Sequence, residues 1–270
     1  MLCVKVKIIS NKKISQKYFK IGLEAPAIAK EALPGQFIMA RLNNGYEPLL
    51  RRPFSIHRVK GQGLRVKGEI EILYEVVGEG TEILSQKKYG EYLDIIGPLG
   101  KGFDYPLPLT PYPLLVAGGM GVAPLVFLAE EIKKCQSVKV SKCQTLVLIG
   151  ARTENQILCE KEFKNLGYNV KIATDDGSHG FKGRVTELLE KHLRSTKHEA
   201  RSTIYACGPK PMLKEVAKIS FEHKIPAQIS LEEYMACGIG ACLGCAVETK
   251  SGYQRVCREG PVFDTKELLL

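Results

Sequence analysis

The 270-residue chain has no tryptophan, and aromatic residues make up 7% of it. It also has no arginine-rich run interleaved with aromatics, which argues against nucleic acid as a partner. No stretch of about 18 apolar residues occurs, so no membrane-spanning helix and no membrane partner are expected. Residues Met1–Ser10 alternate apolar and polar side chains, as a strand does, and lack the apolar centre of a secretory leader. The two absences together predict a cytoplasmic location. Internal repeats and low-complexity segments are absent too. The five histidines, His57, His179, His192, His198 and His223, form no motif, and surface or structural roles are expected of each.

What is present is unevenly placed. Of nine cysteines, Cys3, Cys135, Cys143, Cys159 and Cys207 are scattered, while Cys237, Cys242, Cys245 and Cys257 fall within the last 34 residues. In a reducing compartment such cysteines are buried thiols or metal ligands. The net charge of +10 reads mainly as a lysine-rich solvated surface, part of which can serve anionic cofactors or an acidic partner.

The chain divides into three parts. Residues 1–103 read as an antiparallel β-barrel. Short alternating stretches at Val4–Ile9, Gln36–Arg41, Glu69–Val77 and Tyr92–Ile96 are separated by turn residues such as Pro34-Gly35. Residues 104–113 hold four prolines and predict a linker. Beyond them, apolar strands at Leu114–Ala117, Leu146–Ile149, Val170–Thr174, Thr203–Ala206 and Ala227–Leu231 alternate with helices at Pro124–Lys134, Val185–Arg194 and Pro211–His223. Thr153–Gln156 reads as a capping box opening another helix. That alternation predicts a parallel sheet covered on both faces, a Rossmann-like α/β domain over residues 104–225. Residues 226–270, which hold the four crowded cysteines, are expected to form a small C-terminal domain that binds a metal cluster.

Cys237-Gly-Ile-Gly-Ala-Cys242-Leu-Gly-Cys245 has the C-x4-C-x2-C spacing of plant-type [2Fe–2S] proteins, with Cys257 eleven residues beyond. Thiolates are soft ligands that hold iron. Gly238, Gly240 and Gly244 are expected to supply positive φ and let backbone N–H groups approach the cluster, and Ala236, Ala241 and Ala246 leave room for it. Structural zinc is the competing reading, although zinc sites favour C-x2-C knuckle pairs; plain buried thiols are a third.

Arg51-Arg52-Pro53-Phe54-Ser55 offers a guanidinium for a pyrophosphate, an aromatic ring for an isoalloxazine and a hydroxyl for a flavin nitrogen. Downstream, Leu73-Tyr74-Glu75 leads into Gly78-Glu79-Gly80-Thr81, a glycine turn that presents backbone amides to an anion. Arg52, Pro53, Phe54, Ser55, Leu73, Tyr74, Glu75, Gly80 and Thr81 are therefore the FAD candidates. A barrel strand with an exposed arginine and an ordinary turn is the plain alternative.

Gly118-Gly119-Met-Gly121-Val-Ala-Pro124 follows a buried strand and opens a helix, where glycines permit close approach of a dinucleotide pyrophosphate. Cys207-Gly208-Pro209 ends another strand, so NAD+/NADH is expected at Gly118, Gly119, Gly121, Cys207, Gly208 and Pro209. Cys207 borders the nicotinamide on this reading, or is a buried small hydrophobe. Asp175 or Asp176 favours NAD through ribose hydroxyls and Arg152 favours NADP, and the sequence leaves the preference open.

Together these residues resemble the ferredoxin-reductase-like flavoproteins, with Phe54 where tyrosine is common. The cysteine block is similar to that of the electron-transfer subunits of type B dihydroorotate dehydrogenases, and the resemblance covers essentially the whole chain. It implies an FMN-containing catalytic subunit that oxidises dihydroorotate in pyrimidine biosynthesis, and a heterotetramer with two copies of each subunit. It also implies an electron path from FMN through [2Fe–2S] and FAD to NAD+. Ser55, at the flavin edge, and Cys207, at its strand end, are the catalytic candidates. The chain shows no triad or general base for dihydroorotate chemistry itself. Two alternatives remain. One is a related subunit of a ferredoxin:NADP reductase or sulfide dehydrogenase, some of which have aspartate where this chain has Cys237. The other is a non-enzymatic redox sensor, which would have no need of the nucleotide motifs.

Overall fold

Alternating apolar and polar residues send successive side chains to opposite faces of a strand, and the first third of the chain uses this to build a sheet closed on itself. The computed structural model describes residues 1–43, 45, 47–61, 68–105, 112–138, 145–195 and 202–269. Strands β1 (Leu2–Lys13), β2 (Tyr18–Glu24), β3 (Phe37–Arg41), β4 (Arg52–Ser55), β5 (Arg58–Lys60), β6 (Glu69–Glu75) and β7 (Tyr92–Leu99) lie in the order β4-β3-β7-β1-β2-β6-β5. Every neighbouring pair is antiparallel. One stretch closes the barrel. β4 pairs with β3 and β5 with β6, and the two residues between them bridge the seam, Ile56 N–H donating to Gln36 O and His57 N–H to Glu71 O. Helices α1 (Pro26–Glu31) and α2 (Glu79–Gln86) connect barrel strands. The interior holds Val6, Ile8, Ile21, Leu23, Ile38, Ile72 and Ile95.

The second sheet comprises β8 (Tyr112–Gly118), β9 (Leu146–Ala151), β10 (Asn169–Thr174), β11 (Phe181–Lys182), β12 (Ser202–Cys207), β13 (Ala227–Ser230) and β16 (Val262–Asp264). The hairpin β14 (Ala246–Thr249) and β15 (Gly252–Arg255) stands apart from it. The order is β11-β10-β9-β8-β12-β13-β16, parallel except for the edge strand β16. Helices α3 (Val122–Val138), α4 (Glu160–Asn165), α5 (Val185–Ser195) and α6 (Lys210–Glu222) fill the connections. From β8 the chain builds outward through β9 and β10, then returns to place β12 on the other side of β8. The strand order therefore reverses between β8 and β12, where open α/β sheets bind ligands.

The linker expectation needs a correction at its end. Tyr112 and Pro113 already belong to β8, where Pro113 faces Thr203 of β12; residues 106–111 lie outside the described residues. The expected capping box also does not form. Glu154–Gln156 is a single 3-10 turn with no side-chain cap from Thr153, and Glu154 N–H donates to Ser178 Oγ instead. The division at residue 226 falls just before β13, so the second sheet runs across it.

The parts share cores. Phe127 of α3 reaches the barrel interior, while Tyr18 and Leu73 of the barrel pack with Leu125 and Val126 of the same helix. Cys245, Val256, Cys257 and Phe263 pack with Phe37, Met39 and Leu99 of the barrel.

Candidate functional site

The four C-terminal cysteines converge, and each sulfur accepts a backbone N–H. Ile239 N–H reaches Cys237 Sγ at 3.5 Å, Gly244 N–H reaches Cys242 Sγ at 3.5 Å, Cys257 N–H reaches Cys245 Sγ at 3.4 Å and Gly240 N–H reaches Cys257 Sγ at 3.1 Å. Donors aimed at sulfur stabilise thiolate. The sulfurs form two contacting pairs, Cys237 with Cys242 and Cys245 with Cys257. Cys245 and Cys257 are buried, whereas Cys242 is exposed. Burial raises the Cys237 thiol, but the N–H groups of Ile239, Cys242 and Ala241 outweigh it and bring it down to about 6. Burial and the adjacent Cys245 push Cys257 up to about 12.

Gly238 and Gly240 have φ of 70° and 82°, as expected of the loop. Gly244 does not have positive φ. The left-handed residue there is Leu243, at φ 59°, and its side chain is exposed. A Cβ on Gly238 would lie 2.3 Å from Met39 Cγ of β3. The loop is thus seated on the barrel, next to the flavin-candidate strand, because Met39 is paired with Pro53 of β4. Gly238→Ala, with a left-handed backbone that costs about 1–3 kcal/mol and a clash against Met39, is expected to expel this loop. Iron retained after gel filtration should fall while flavin content stays at the wild-type level.

Sequence patterns missed a brace on this loop. Arg255 donates Nη1 to Gly240 O at 2.8 Å and is held by Glu259, whose Oε2 accepts from Arg255 Nε at 2.9 Å. The hydrogen bonds from Arg255 draw the Glu259 carboxyl down to about 2. The R-x3-E spacing was the available signal, but without the loop's position it reads as an ordinary surface pair.

In the barrel the two adjacent arginines separate. Arg51 makes two 2.7 Å bonds to Asp94, one to its carbonyl and one to its carboxylate, so it is a structural residue. Arg52 stands against the first turn of α2, where a Cβ on Gly80 would lie 3.4 Å from Arg52 Nε. Thr81 Oγ1 accepts the N–H of Val77 at 2.9 Å and of Gly78 at 3.2 Å, which fixes the turn. Phe54 is only 8% exposed, packed edge-on to Tyr74 with ring centroids 6.0 Å apart. The ring expected to lie against a flavin is therefore largely in the barrel core. Tyr74 is also buried, stacked on Phe19, with its hydroxyl on Asn11 Oδ1, and burial raises its pKa to about 12. Leu73 faces the nucleotide-domain core. Pro53, Ser55 and Glu75 keep partial exposure.

At the strand-order reversal, Gly121 fits against the end of β12. A Cβ there would lie 2.0 Å from Cys207 O and 2.7 Å from Gly208 N. Gly118 is similarly enclosed, with Pro209 Cδ 2.8 Å from its missing Cβ. Gly119 has φ 51° and open space around it. The structure thus gathers Gly118, Gly121, Cys207, Gly208 and Pro209, with Gly119 facing outward. Cys207 is buried, and burial and the nearby Glu232 raise its thiol, offset in part by Ser230. Desolvation by neighbouring groups likewise raises the Glu232 carboxyl, although the residue as a whole is exposed. Ser230 and Glu232, at and just beyond the end of β13, were not anticipated, since a serine and a glutamate after a strand carry no spacing signal. Asp176 accepts the Ser178 N–H and hydroxyl, and those bonds lower its carboxyl in a solvated turn at the end of β10.

Residues 232–269 match the iron-sulfur cluster binding domain of dihydroorotate dehydrogenase B, and residues 115–218 match the oxidoreductase NAD-binding domain. Over 267 residues, 97% of each chain, the sequence is 43% identical to the dihydroorotate dehydrogenase B (NAD(+)) electron transfer subunit of Desulforamulus reducens. The chain belongs to this family of electron transfer subunits. The corresponding Fusobacterium nucleatum subunit is 38% identical over 94% of this chain and 93% of its own. Among solved structures, an NADH-dependent reduced ferredoxin-NADP oxidoreductase superposes with TM-score 0.81 and 31% identity, over 97% of this chain and 88% of that one. A Neisseria gonorrhoeae ferredoxin NADP+ reductase with bound FAD and NADP shares the fold, with TM-score 0.66 and 16% identity over 82% of this chain and 91% of its own. The sequence likeness to dihydroorotate dehydrogenase B electron transfer subunits thus spans both the nucleotide-domain and the cysteine-loop segments of this chain. No helix among the described residues is long and apolar enough to cross a membrane.

Proposed function

We propose that this chain carries electrons between a dihydroorotate-oxidising catalytic subunit and NAD+. The observation that carries the reading is the cysteine loop: four sulfurs, each with its own N–H donor, on a loop packed against β3 beside β4. The donor set suits a [2Fe–2S] cluster. Cys237 and Cys242 would hold the iron nearer solvent and Cys245 and Cys257 the buried one, so the exposed edge faces outward to a partner. The assembly is a heterotetramer with an FMN-containing catalytic subunit, in the cytoplasm.

Arg52, lying against Gly80 in the first turn of α2, suits an FAD pyrophosphate, with Ser55 and the backbone of residues 73–75 along the flavin edge. Gly119, with open space around it, leaves backbone for a dinucleotide pyrophosphate at the β8–α3 turn, and Cys207 sits at the nicotinamide end. Together the groups supply hydride exchange at FAD and single-electron exchange at the cluster. The chain's own residues set positions. Arg52 binds phosphate, Ser55 orients the flavin and Cys207 closes the floor of the nicotinamide pocket.

A ferredoxin-NADP oxidoreductase role is the second reading. It is favoured by the 0.81 TM-score but set against lower identity, 31% compared with 43%. Arg52→Ala tests the flavin cleft. Charge-assisted hydrogen bonds contribute about 1.5–3 kcal/mol, so FAD affinity should fall roughly 10- to 150-fold by fluorescence titration; unchanged affinity would remove Arg52 from the site. The overall reading is tested by anaerobic NADH titration of the purified holoprotein. Bleaching of the flavin together with reduction of the cluster is expected, and a flavin that NADH leaves oxidised would refute it.

A further inference from the structure

A second cluster of ligand-type side chains lies where the barrel meets the nucleotide domain, away from the cysteine loop. His57, at the barrel seam between β4 and β5, is fully buried. Its Nδ1 lies 3.0 Å from Ala123 O at the start of α3. A carbonyl only accepts, so Nδ1 carries the hydrogen and Nε2 of the neutral ring presents a lone pair. That lone pair faces Cys159 and Glu162, which flank the first turn of α4. The ligand atoms of all three residues lie within 4.8 Å of one another. His57 Nε2 and Glu162 Oε2 are 3.3 Å apart, and both are buried without a hydrogen-bond partner. A proton on Nε2 would join the two atoms as a buried ion pair; with the ring neutral, both are acceptors, and a metal cation is the other group that can satisfy them together.

The 3.3 Å separation of nitrogen and oxygen fits a particular ion. With zinc bonds of about 2.0–2.1 Å to imidazole nitrogen and carboxylate oxygen, the edge of the tetrahedron is about 3.3 Å. Imidazole, thiolate and carboxylate together form a zinc donor set. The Nδ1–carbonyl contact is the outer-shell bond that orients a zinc-binding histidine. Cys159 has a left-handed backbone, φ 61°, unusual for a residue with a Cβ, and this conformation places its side chain beside Glu162. The surrounding charges are balanced. Lys20 pairs with the other oxygen of Glu162, and Arg58, 3.8 Å from Glu162, is neutralised by Glu130 at 2.6 Å and Glu71 at 3.6 Å.

We propose that His57, Cys159 and Glu162 form a structural zinc site that clamps the flavin barrel to the nucleotide domain, with water as the fourth ligand. Binding displaces the Cys159 thiol proton to solvent and involves no oxidation or reduction. The two domains then share one ion, with His57 from the barrel side, Cys159 from the residue that opens α4 and Glu162 from its first turn.

The test is metal analysis of the holoprotein, purified without chelator and then equilibrated with zinc chloride, with zinc, iron and FAD measured on the same sample. A single tightly held zinc is expected alongside the full complement of iron and FAD. Zinc-edge X-ray absorption should show one sulfur with nitrogen and oxygen neighbours. Cys159→Ser and His57→Gln should each weaken zinc binding by roughly 10- to 100-fold or more while iron and FAD stay at wild-type levels. Absence of saturable zinc uptake overturns the proposal. So does an all-sulfur zinc shell, which would place the ion in the cysteine loop, or zinc uptake unaffected by either substitution. Should a variant lose FAD through misfolding, the absorption spectrum of the wild-type protein decides alone.

Discussion

Cys242→Ser is expected to yield a protein that keeps FAD but has lost iron and inorganic sulfide. Cys242 is exposed and contacts Cys237, so its removal opens the outer half of the cysteine set without disturbing the core that holds Cys245 and Cys257. A serine hydroxyl is a poor soft ligand at neutral pH. The proposed flavin residues, Arg52 and Gly80, lie together on the barrel side and share no residue with the loop. NADH should therefore still bleach the flavin, while electron delivery from a catalytic subunit falls to background. Iron content and the flavin spectrum on one preparation check this. Iron unchanged in the variant would remove Cys242 from the ligand set.

Gly121→Ala should have a comparable effect on the other half of the chain. The added Cβ would lie 2.0 Å from Cys207 O and 2.3 Å from Cys207 C, both backbone atoms, so either the start of α3 or the end of β12 must move by more than 1 Å. Displacements of that size at a positioning site cost about 100-fold. The expected result is KM for NADH raised by roughly that factor, with FAD and iron retained. Steady-state kinetics with an artificial electron acceptor measures it without the partner. A KM within the error of wild type would mean that this turn does not position the dinucleotide.

The features readable in the sequence were those where chemistry fixes residue type. Thiolate ligation requires cysteines at set spacing, and Cys237, Cys242, Cys245 and Cys257 do converge in the fold. Buried parallel strands require apolar runs, and Leu114–Ala117, Leu146–Ile149 and Thr203–Ala206 all became strands of the second sheet. What escaped depends on tertiary position. β2 is buried on both sides over Ile21–Leu23, so it lacks the alternation that marks a half-buried strand. Leu243 takes the left-handed conformation expected of Gly244, because the loop's path, not residue type alone, decides which position turns. Phe54 entered the barrel core, since Tyr74 lies beside it. Arg255 acts on Gly240 from 15 residues away. His57, assigned a structural or surface role by default, lies at the seam between two domains, facing Glu162 from a distant part of the chain.

The most direct test of the central claim is to tag this chain in its source cells, purify the native complex and measure dihydroorotate-dependent formation of NADH. The account predicts activity that co-purifies with an FMN-containing partner and is lost when Cys242→Ser replaces the wild-type chain. A complex that exchanges electrons between NADH and flavin but gives no NADH on addition of dihydroorotate would contradict it.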